Sequence, residues 1–261
     1  MRLFFDIGNT RLKWATDEGD HGRAFKEVGT VSYKEEDWTA LELIKCDSIE
    51  SVWISSVASG GVNSQIDGWV NERFGVSPMW LEVEQSKCGV NNGYGVLSQL
   101  GVDRWAAMLG ANHYLINNDL EDASAIVVDA GTAVTIDALI RGQSGVAFRG
   151  GVILPGLMMM HDALVGKTQG IASSLESDLV LPGVNTQQCV NSGIHYGLCG
   201  GVERVVGELQ EALMVDDSRL FVMVTGGDAS LIERYSSLEV IGLPNLVIDG
   251  LRAVAQTSES K

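Results

Sequence analysis

The sequence predicts an α/β fold made of two similar halves. Strand-like apolar runs alternate with segments of helical spacing after a β-rich start, which is the pattern of a sheet flanked by helices. A polar turn between two strand-like runs occurs at Asp6 and again at Asp129, at the front of each half, and this repetition indicates a tandem duplication. With 261 residues, 45% of them hydrophobic, the chain can bury a sizeable core.

The first turn, residues 6–10, follows the apolar run at residues 3–5 and precedes an alternating run typical of a half-buried strand. Gly8 and Asn9 alone would satisfy an ordinary hairpin, because both tolerate positive φ. Asp6 adds a carboxylate that can hold a hydrated divalent cation, and the donors around it suit phosphate oxygens. The turn is therefore a candidate phosphate site, although the sequence contains neither a GxxxxGK[ST] loop nor a GxGxxG motif.

The other elements of the first half follow from periodicity and turn residues. The predicted strands are residues 24–31, 51–57 and 79–83, and the predicted helices are residues 35–45, 66–74 and a segment from Asp103 that Asn112 interrupts. Residues 89–101, rich in Gly and Asn, are predicted as a loop. The polar stretch at residues 117–123 is the predicted boundary, which gives domains 1–117 and 118–261.

The second half begins with an apolar run at residues 125–128, typical of a strand buried on both faces. A long helix is predicted over residues 190–209, and four glycines inside it cost about 1 kcal/mol each relative to alanine, so we expect close packing against another backbone. These glycines are Gly193, Gly197, Gly200 and Gly201. Further strands are predicted at residues 134–138 and 220–224, and residues 150–156 close another strand. Helices are predicted to begin near Leu157 and Leu231. Residues 247–254 form the final predicted segment, and residues 256–261 a frayed tail.

A formal net charge of −16 argues against a basic face that would neutralise nucleic-acid phosphates or bind an anionic membrane. We therefore expect neither partner, and an anionic ligand must be bound by backbone amides, a few cations and metal. The four cysteines form no CxxC pair and are expected to be reduced, buried thiols, which favours a cytoplasmic location. They are Cys46, Cys88, Cys189 and Cys199.

Two Asp-containing turns and the turn at residues 225–229 place three backbone-rich loops at strand ends. An ordinary turn explains any one of them, because Gly-Asp and Gly-Asn turns are common. Together they are less ordinary, since such loops line one crevice of an α/β sheet, the usual place for a ligand. His161 and His195 are expected in packing or surface roles, and Met158–Met160 in a core or an interface.

Five motifs occur in order along the chain. They are Asp6-Ile7-Gly8-Asn9-Thr10 with Lys13, Gly101-Val102-Asp103-Arg104, Asp129-Ala130-Gly131-Thr132-Ala133, Gly151-Val152-Ile153-Leu154-Pro155-Gly156 and Thr225-Gly226-Gly227-Asp228. This set closely resembles the type III pantothenate kinases, over nearly the whole chain. The resemblance implies two duplicated ribonuclease-H-like domains of the actin-like ATPase kind, with mixed sheets flanked by helices, around an ATP cleft.

The resemblance also implies the reaction, transfer of the γ-phosphoryl group of ATP to pantothenate to give 4′-phosphopantothenate, the first step of coenzyme A synthesis. For such a transfer the protein mainly has to position the phosphates, the metal ion and the nucleophile. The implied ATP-binding residues are Asp6, Ile7, Gly8, Asn9, Thr10, Arg11, Leu12, Lys13 and Thr132. Magnesium is expected with ATP, with Asp6 as its implied ligand. Asp129 is the implied ligand of a monovalent cation, potassium or ammonium, which a single carboxylate does not identify by itself.

Asp103 is the implied general base, which accepts the proton of the pantothenate hydroxyl. The alternative is an Asp that merely caps the following helix, and the two roles are compatible. Arg104 is implied to bind the substrate carboxylate, a role that suits a planar guanidinium; otherwise it is a solvated surface Arg. The implied substrate-binding residues are Tyr94, Gly101, Val102, Asp103, Arg104 and Thr186. Thr186 is otherwise a good helix N-cap.

The family is usually dimeric, and the Gly-rich helix favours a homodimer. Residues 93–98 lack the Pro and acidic residues often found there in the family, a departure that bears on the pantothenate entrance. Three alternatives remain open: a kinase of the same superfamily with another small hydroxylated substrate, a nucleotide-binding transcriptional accessory protein, and a polyphosphate phosphatase that uses a water nucleophile. The phosphatase would not need Arg104 or Tyr94, and the intact motif at residues 101–104 argues against the accessory protein.

Overall fold

The computed structural model describes residues 1–19, 24–32, 41, 44, 48–167, 174–176 and 178–259. The chain forms two compact units. The first contains Met1–Glu121, Arg141–Phe148 and Asn245–Lys261, and the second contains Asp122–Ile140 and Arg149–Pro244. The division into duplicated domains 1–117 and 118–261 stays a prediction. The helix predicted over residues 35–45 falls on a stretch of which only 41 and 44 are described, and Cys46 lies outside the described residues.

The described strands and helices alternate after an initial β-meander. The strands are β1 (Arg2–Ile7), β2 (Arg11–Asp17), β3 (Glu27–Ser32), β4 (Ser51–Ser56), β5 (Met79–Trp80), β6 (Ser86–Lys87), β7 (Val90–Asn92), β8 (Ser124–Ala130), β9 (Ala133–Gly142), β10 (Gly145–Pro155), β11 (Leu220–Thr225) and β12 (Val240–Gly242). The helices are α1 (Gly60–Phe74), α2 (Val102–Asn117), α3 (Leu157–Lys167), α4 (Thr186–Leu213), α5 (Ala229–Tyr235) and α6 (Leu246–Glu259). Each of these described helices is too short or too polar to span a bilayer.

The first unit contains a five-stranded sheet in the order β3-β2-β1-β4-β5. β1 pairs antiparallel with β2 and parallel with β4, so the carboxyl ends of β1 and β4 lie side by side. Alternation along β1 directs Leu3, Phe5 and Ile7 into one hydrophobic core, while Phe4 is buried on the opposite face. The central strand is therefore covered on both faces, as its nearly continuous apolar sequence requires.

Helices α2 and α6 cross in the first unit at two glycines. A Cβ atom on Gly110 would overlap the carbonyl oxygen of Leu246, and a Cβ atom on Gly250 would overlap that of Ala106. The two helix backbones are therefore in direct contact. Asn112 does not interrupt α2, as the sequence predicted, because its buried amide nitrogen donates to the carbonyl oxygen of Cys88 over 3.2 Å instead of competing for helix hydrogen bonds.

The second unit repeats the strand plan of the first. β8 pairs antiparallel with β9 and parallel with β11, and β11 pairs parallel with β12. The sheet has seven strands in the order β12-β11-β8-β9-β10-β7-β6, and its part β10-β9-β8-β11-β12 matches the order β3-β2-β1-β4-β5. This confirms the predicted α/β fold with two mixed sheets flanked by helices.

The core of the second unit lies between its sheet and helices α4 and α5. Val190, Ile194 and Leu198 of α4 pack with the inward side chains of β8, and full burial of one such side chain stabilises the fold by about 1.5–3 kcal/mol. His195, 2% exposed, places Nδ1 2.8 Å from the carbonyl oxygen of Asn191 and packs edge-on against an aromatic ring. The predicted packing role of this histidine is confirmed.

The glycines of α4 lie on a side of the helix that no other described backbone covers. Within the described residues, no atom of a neighbouring element lies within 4 Å of a Cβ built on Gly193, Gly197 or Gly200, and only a side-chain carbon of Leu154 approaches Gly201, at 3.6 Å. Among the described residues no other backbone packs against these glycines, so close packing against another backbone stays a prediction. They leave one side of the helix open.

Three other local predictions also need correction. The predicted loop at residues 89–101 contains β7, which forms a tight hairpin with β6 through Cys88 (φ 48°) and Gly89 (φ 79°). The predicted frayed tail is helical to Glu259, where α6 ends. Of the three described cysteines only Cys199 is buried, whereas Cys88 is partly exposed and Cys189 is exposed.

Candidate active site

The turn after β1 is a tight hairpin connection. The amide of Gly8 donates to the carbonyl oxygen of Arg11 over 3.0 Å, which leaves Asn9 and Thr10 at the tip. Neither Gly8 nor Asn9 has positive φ, so the turn does not use the conformational freedom that the sequence suggested. A Cβ on Gly8 would lie 3.4 Å from the Arg11 carbonyl oxygen, an ordinary van der Waals distance, so crowding does not require glycine here.

Asp6 lies in one row with two polar residues across the sheet. The register opposes Asp6 to Lys13 of β2 and to Ser55 of β4. Directly opposed residues project from the same face of a sheet, so the carboxylate, the ammonium group and the hydroxyl share one face near the strand ends. Ser55 is completely buried, and its hydroxyl has no hydrogen-bond partner among the described residues.

The start of α2 brings Asp103 to the same end of the sheet. The backbone amide after β4, that of Val57, donates to the carbonyl oxygen of Ile7 over 3.0 Å. A Cβ built on Gly101 would lie 4.0 Å from a methyl of Val57 and 2.5 Å from Oδ1 of Asp103. A side chain at position 101 would therefore displace the carboxylate, so glycine is required for the observed geometry.

Asp103 is not the N-cap of α2. Gly101 occupies that position, and Asp103 lies in the first helical turn, where its Oδ1 accepts the amide hydrogen of Arg104 over 2.8 Å. The amino-terminal end of a helix favours negative charge, which suits a carboxylate that must be ionised to accept a proton. Asp103 is partly exposed and can meet a ligand.

Arg104 is buried against two aromatic rings and is not a solvated surface residue. Its Nη1 donates to the hydroxyl of Tyr94 over 2.9 Å, and its guanidinium carbon lies 5.6 Å from the centre of the Tyr94 ring. The Phe148 ring centre is 5.9 Å from the same carbon. Only 8% of Arg104 is exposed, so the guanidinium is held in a defined plane.

The second unit contains a hairpin built like the first. Gly131 donates its amide to the carbonyl oxygen of Ala133 over 3.1 Å, and Thr132 is exposed at the tip. Asp129 is the penultimate residue of β8, as Asp6 is of β1. Gly156 packs under the tip, because a Cβ there would overlap the backbone of Thr132. The backbone of Gly156 therefore packs directly against the backbone of this turn.

The turn at residues 225–228 lies directly beside this hairpin. The register of the parallel strands opposes Thr225 to Asp129, and the amide of Asp228 donates to the carbonyl oxygen of Ala130 over 2.9 Å. Gly226 has φ 96°, and a Cβ on it would overlap the Ala130 carbonyl. Two of the three predicted backbone-rich loops therefore form one edge of the second unit.

Thr186 is the first residue of α4 and is exposed. It is not the N-cap, because Asn185 holds that position and its side chain accepts the amide hydrogen of Gln188 over 2.9 Å. The helix-capping interpretation of Thr186 is therefore wrong. No capping requirement explains a threonine here.

The structure groups the predicted site residues by unit. The first unit brings together the hairpin at residues 6–13, Tyr94 and the start of α2, and the second unit holds Asp129, Thr132 and Thr186. Sequence reasoning missed Phe148 and Asn92, because their contacts with Tyr94 depend on the pairing of β10 with a three-residue strand. That strand is too short to show a period.

The described residues contain no group of three or more His, Cys, Asp or Glu side chains that could hold a metal. A single, partly exposed carboxylate fits a magnesium ion that is bound chiefly by nucleotide phosphates and water. Asp6 is suited to that role, since it is partly exposed at the end of β1.

Comparisons with known proteins give one family. A family model described as Type III pantothenate kinase matches residues 2–208. A Type III pantothenate kinase of Azoarcus sp. (strain BH72) is 33% identical over 257 residues, which cover 98% of this chain and 90% of that protein. A Type III pantothenate kinase of Alcanivorax borkumensis is 33% identical over 260 residues, which cover 98% of each chain.

Two solved structures are similar in fold. A Baf family protein from Campylobacter jejuni, described as a transcriptional activator, superimposes with a TM-score of 0.61 at 17% identity, covering 99% of this chain and 100% of that chain. The activator of the 2-hydroxyisocaproyl-CoA dehydratase from Clostridium difficile, with bound ADPNP, gives a TM-score of 0.50 at 13% identity, with 99% and 96% coverage. At these identities the likeness shows the fold alone.

Proposed function

The chain belongs to the type III pantothenate kinase family, whose members phosphorylate pantothenate with ATP in coenzyme A biosynthesis. We propose that the residues described above transfer the γ-phosphoryl group of ATP to pantothenate. The protein is thus an ATP-dependent kinase. The observation that carries the residue assignment is the start of α2, where a partly exposed carboxylate, Asp103, adjoins a buried guanidinium, Arg104, at the strand end that bears the Asp6 turn.

Asp103 acts as the general base. It accepts the proton of the pantothenate primary hydroxyl as that oxygen forms a bond to the γ-phosphorus of ATP. The bond between the γ-phosphorus and the β,γ-bridging oxygen breaks, and ADP leaves with the bond electrons. The products are ADP and 4′-phosphopantothenate. The geometry at Gly101 supports this role, because it keeps the space beside the Asp103 carboxylate clear of a side chain.

Arg104 and Tyr94 bind the substrate carboxylate end. A guanidinium presents paired N–H donors that match the two oxygens of a carboxylate, and burial strengthens such bonds. The hydrogen bond from Arg104 to the Tyr94 hydroxyl fixes the orientation of those donors. Gly101 and Val102 complete this side of the substrate site, and Thr186 contributes from the start of α4.

The hairpin at residues 6–13 binds the ATP phosphates, with backbone amides at its tip and Lys13 in the same row as Asp6. The magnesium ion that accompanies ATP supplies charge neutralisation at the phosphates when bound. Thr132 contacts ATP from the second hairpin. Asp129 would hold a monovalent cation, potassium or ammonium; its carboxylate lies beside the Gly226 backbone and the Ala130 carbonyl, which accepts the Asp228 amide hydrogen.

The active protein is a homodimer that forms through α3 and α4. Met158, Met159 and Leu164 are exposed on α3, and α4 adds the open Gly193, beside an apolar groove of about 560 Å³. A second copy of the chain is the occupant of this apolar groove. Sedimentation equilibrium should give twice the chain mass, and Gly197→Arg should shift it to the monomer; a monomeric wild type would overturn the dimer.

An assay of purified protein with ATP, magnesium, potassium and pantothenate tests the function. ADP release should depend on pantothenate, and mass spectrometry should detect 4′-phosphopantothenate. Background ADP release with pantothenate but turnover with a sugar would assign the chain to another substrate of the superfamily. No phosphorylation together with tight DNA binding would favour an accessory protein, and release of inorganic phosphate from polyphosphate would favour a phosphatase. The cytoplasmic location stays a prediction.

A further inference from the structure

Phe148 forms the base of the aromatic cluster around Arg104. Its side chain is completely buried, and its ring stacks on that of Tyr94 with centres 5.6 Å apart and planes inclined by 19°. The guanidinium of Arg104 contacts both rings. Phe148 therefore packs against both Tyr94 and Arg104, the two side chains proposed to bind substrate.

The backbone around Phe148 also holds Tyr94. The carbonyl oxygen of Phe148 accepts the amide hydrogen of Gly93 over 2.9 Å, and the strand register pairs Phe148 with Asn92. The buried Asn92 side chain accepts the amide hydrogen of Tyr94 over 3.0 Å and donates to the carbonyl oxygen of Glu84 over 3.2 Å. Tyr94 is thus fixed by its ring and by its backbone from the same pair of residues.

We propose that Phe148 is a positioning residue that sets the selectivity of Arg104 for a carboxylate-bearing substrate. An arginine side chain loses about 2 kcal/mol of rotamer entropy when it is fixed. The stacked rings and the Tyr94 hydroxyl fix it before substrate binds, so less entropy is lost in the complex. This inference rests on the proposed binding of the pantothenate carboxylate by Arg104.

The test compares pantothenate with pantothenol, in which a hydroxymethyl group replaces the carboxylate. Phe148→Leu keeps an apolar side chain but removes the aromatic face. Stacking and cation–π contacts of this kind correspond to a change of about 5- to 20-fold. We therefore expect the ratio of kcat/KM for pantothenate to that for pantothenol to fall by about this factor, through KM for pantothenate, while KM for ATP stays within about twofold.

Val146→Ala is the matched control, because Val146 is buried two residues earlier on β10 and pairs with β7 away from Tyr94. It should lower the unfolding temperature without changing the selectivity ratio. Phe148→Met fills nearly the same volume without a ring and should reproduce the selectivity loss in a well-folded protein.

Two results would overturn the inference and are distinguishable. A stable Phe148→Leu or Phe148→Met variant with the wild-type selectivity ratio would show that Phe148 only fills the core, while the proposed function stands. A wild-type enzyme that uses pantothenate and pantothenol equally well would instead remove the carboxylate assignment of Arg104, on which the inference depends.

Discussion

The guanidinium of Arg104 donates to the hydroxyl of Tyr94 over 2.9 Å, and both side chains lie on the same buried phenylalanine ring. Tyr94 precedes Arg104 by ten residues and belongs to a different segment of the first unit. The contact joins the segment that contains Tyr94 to the start of α2. A lysine at position 104 would keep the positive charge. It would lose the planar guanidinium, the stacking on the aromatic rings and the paired N–H donors.

Arg104→Lys should therefore raise KM for pantothenate. Hydrogen bonds to charged groups contribute about 1.5–3 kcal/mol, which corresponds to about 10- to 150-fold in affinity. KM for ATP should stay near the wild-type value. Steady-state kinetics with each substrate varied in turn measures both. Arg73→Lys is the control, since Arg73 also lies over a ring, that of Phe74, but on an exposed helix end. Equal effects of the two variants would contradict the assignment.

Asp103→Asn should abolish proton transfer while the fold is kept. The amide oxygen can still accept the Arg104 amide hydrogen, so the start of α2 should not change. General-base catalysis contributes about 10²- to 10⁴-fold, and kcat should fall by that factor with little change in KM for pantothenate. Circular dichroism checks the fold. Asp119→Asn, an exposed position at φ 57° that Asn tolerates, should keep full activity. Full turnover by the Asp103 variant would mean that another group is the base.

Gly226→Ala should impair the ATP side of the reaction. Its Cβ would overlap the Ala130 carbonyl and push against the Asp129 turn. Backbone shifts forced by such overlap cost about 1–3 kcal/mol. We expect a higher KM for ATP and a weaker response to potassium in titrations of initial rate. Gly145→Ala is the matched control, because Gly145 also has positive φ, 103°, but a Cβ there meets no described atom within 4 Å. If both variants lose ATP affinity equally, the effect comes from φ strain and not from the turn.

Asp249→Asn should change the pH dependence of stability. Burial raises the pKa of Asp249 from 3.8 to about 6, against a smaller lowering by Arg252. The folded protein therefore prefers the protonated carboxyl, so this contribution to stability is complete below pH 3.8 and is lost as pH rises through about 6. The loss is at most about 3 kcal/mol, and it is smaller in practice because 29% of the side chain is exposed.

Urea unfolding of wild type and Asp249→Asn at several pH values between 4 and 8 measures this effect. The asparagine side chain does not titrate. The free energy of unfolding of the variant minus that of the wild type should therefore increase as pH rises. A constant difference at all pH values would indicate that the substitution acts only through its packing and its contact with Arg252, 3.8 Å away.

Local sequence chemistry was sufficient for the two Asp-containing hairpins and for the strands that flank them. Asp6 and Asp129 are each the penultimate residue of an apolar strand that enters a hairpin, and both strands pair as the repetition predicts. The motif at residues 101–104 also lies where a helix begins, as its pattern indicates. These features depend on residues close together in the chain, where periodicity and turn preference act.

The supporting contacts could not be predicted in the same way. Phe148 meets Tyr94 only because β10 pairs with the short strand β7, and such long-range register leaves no local signal. Glycine was equally ambiguous: Gly226 is required by crowding and positive φ, whereas Gly197 in α4 contacts no other described element. The sequence shows a glycine at both positions, and only the tertiary packing shows which of them is required.

The crossing of α2 with α6 joins the front of the first unit to the final helix of the chain's described part. Gly110 leaves the ribosome long before Gly250, against whose helix it packs. Every residue of the second unit precedes Asn245, whereas the first unit lacks its last helix until Asn245 and the residues after it have been made. The unit that begins the chain therefore receives its last helix only after every residue of the second unit has been made.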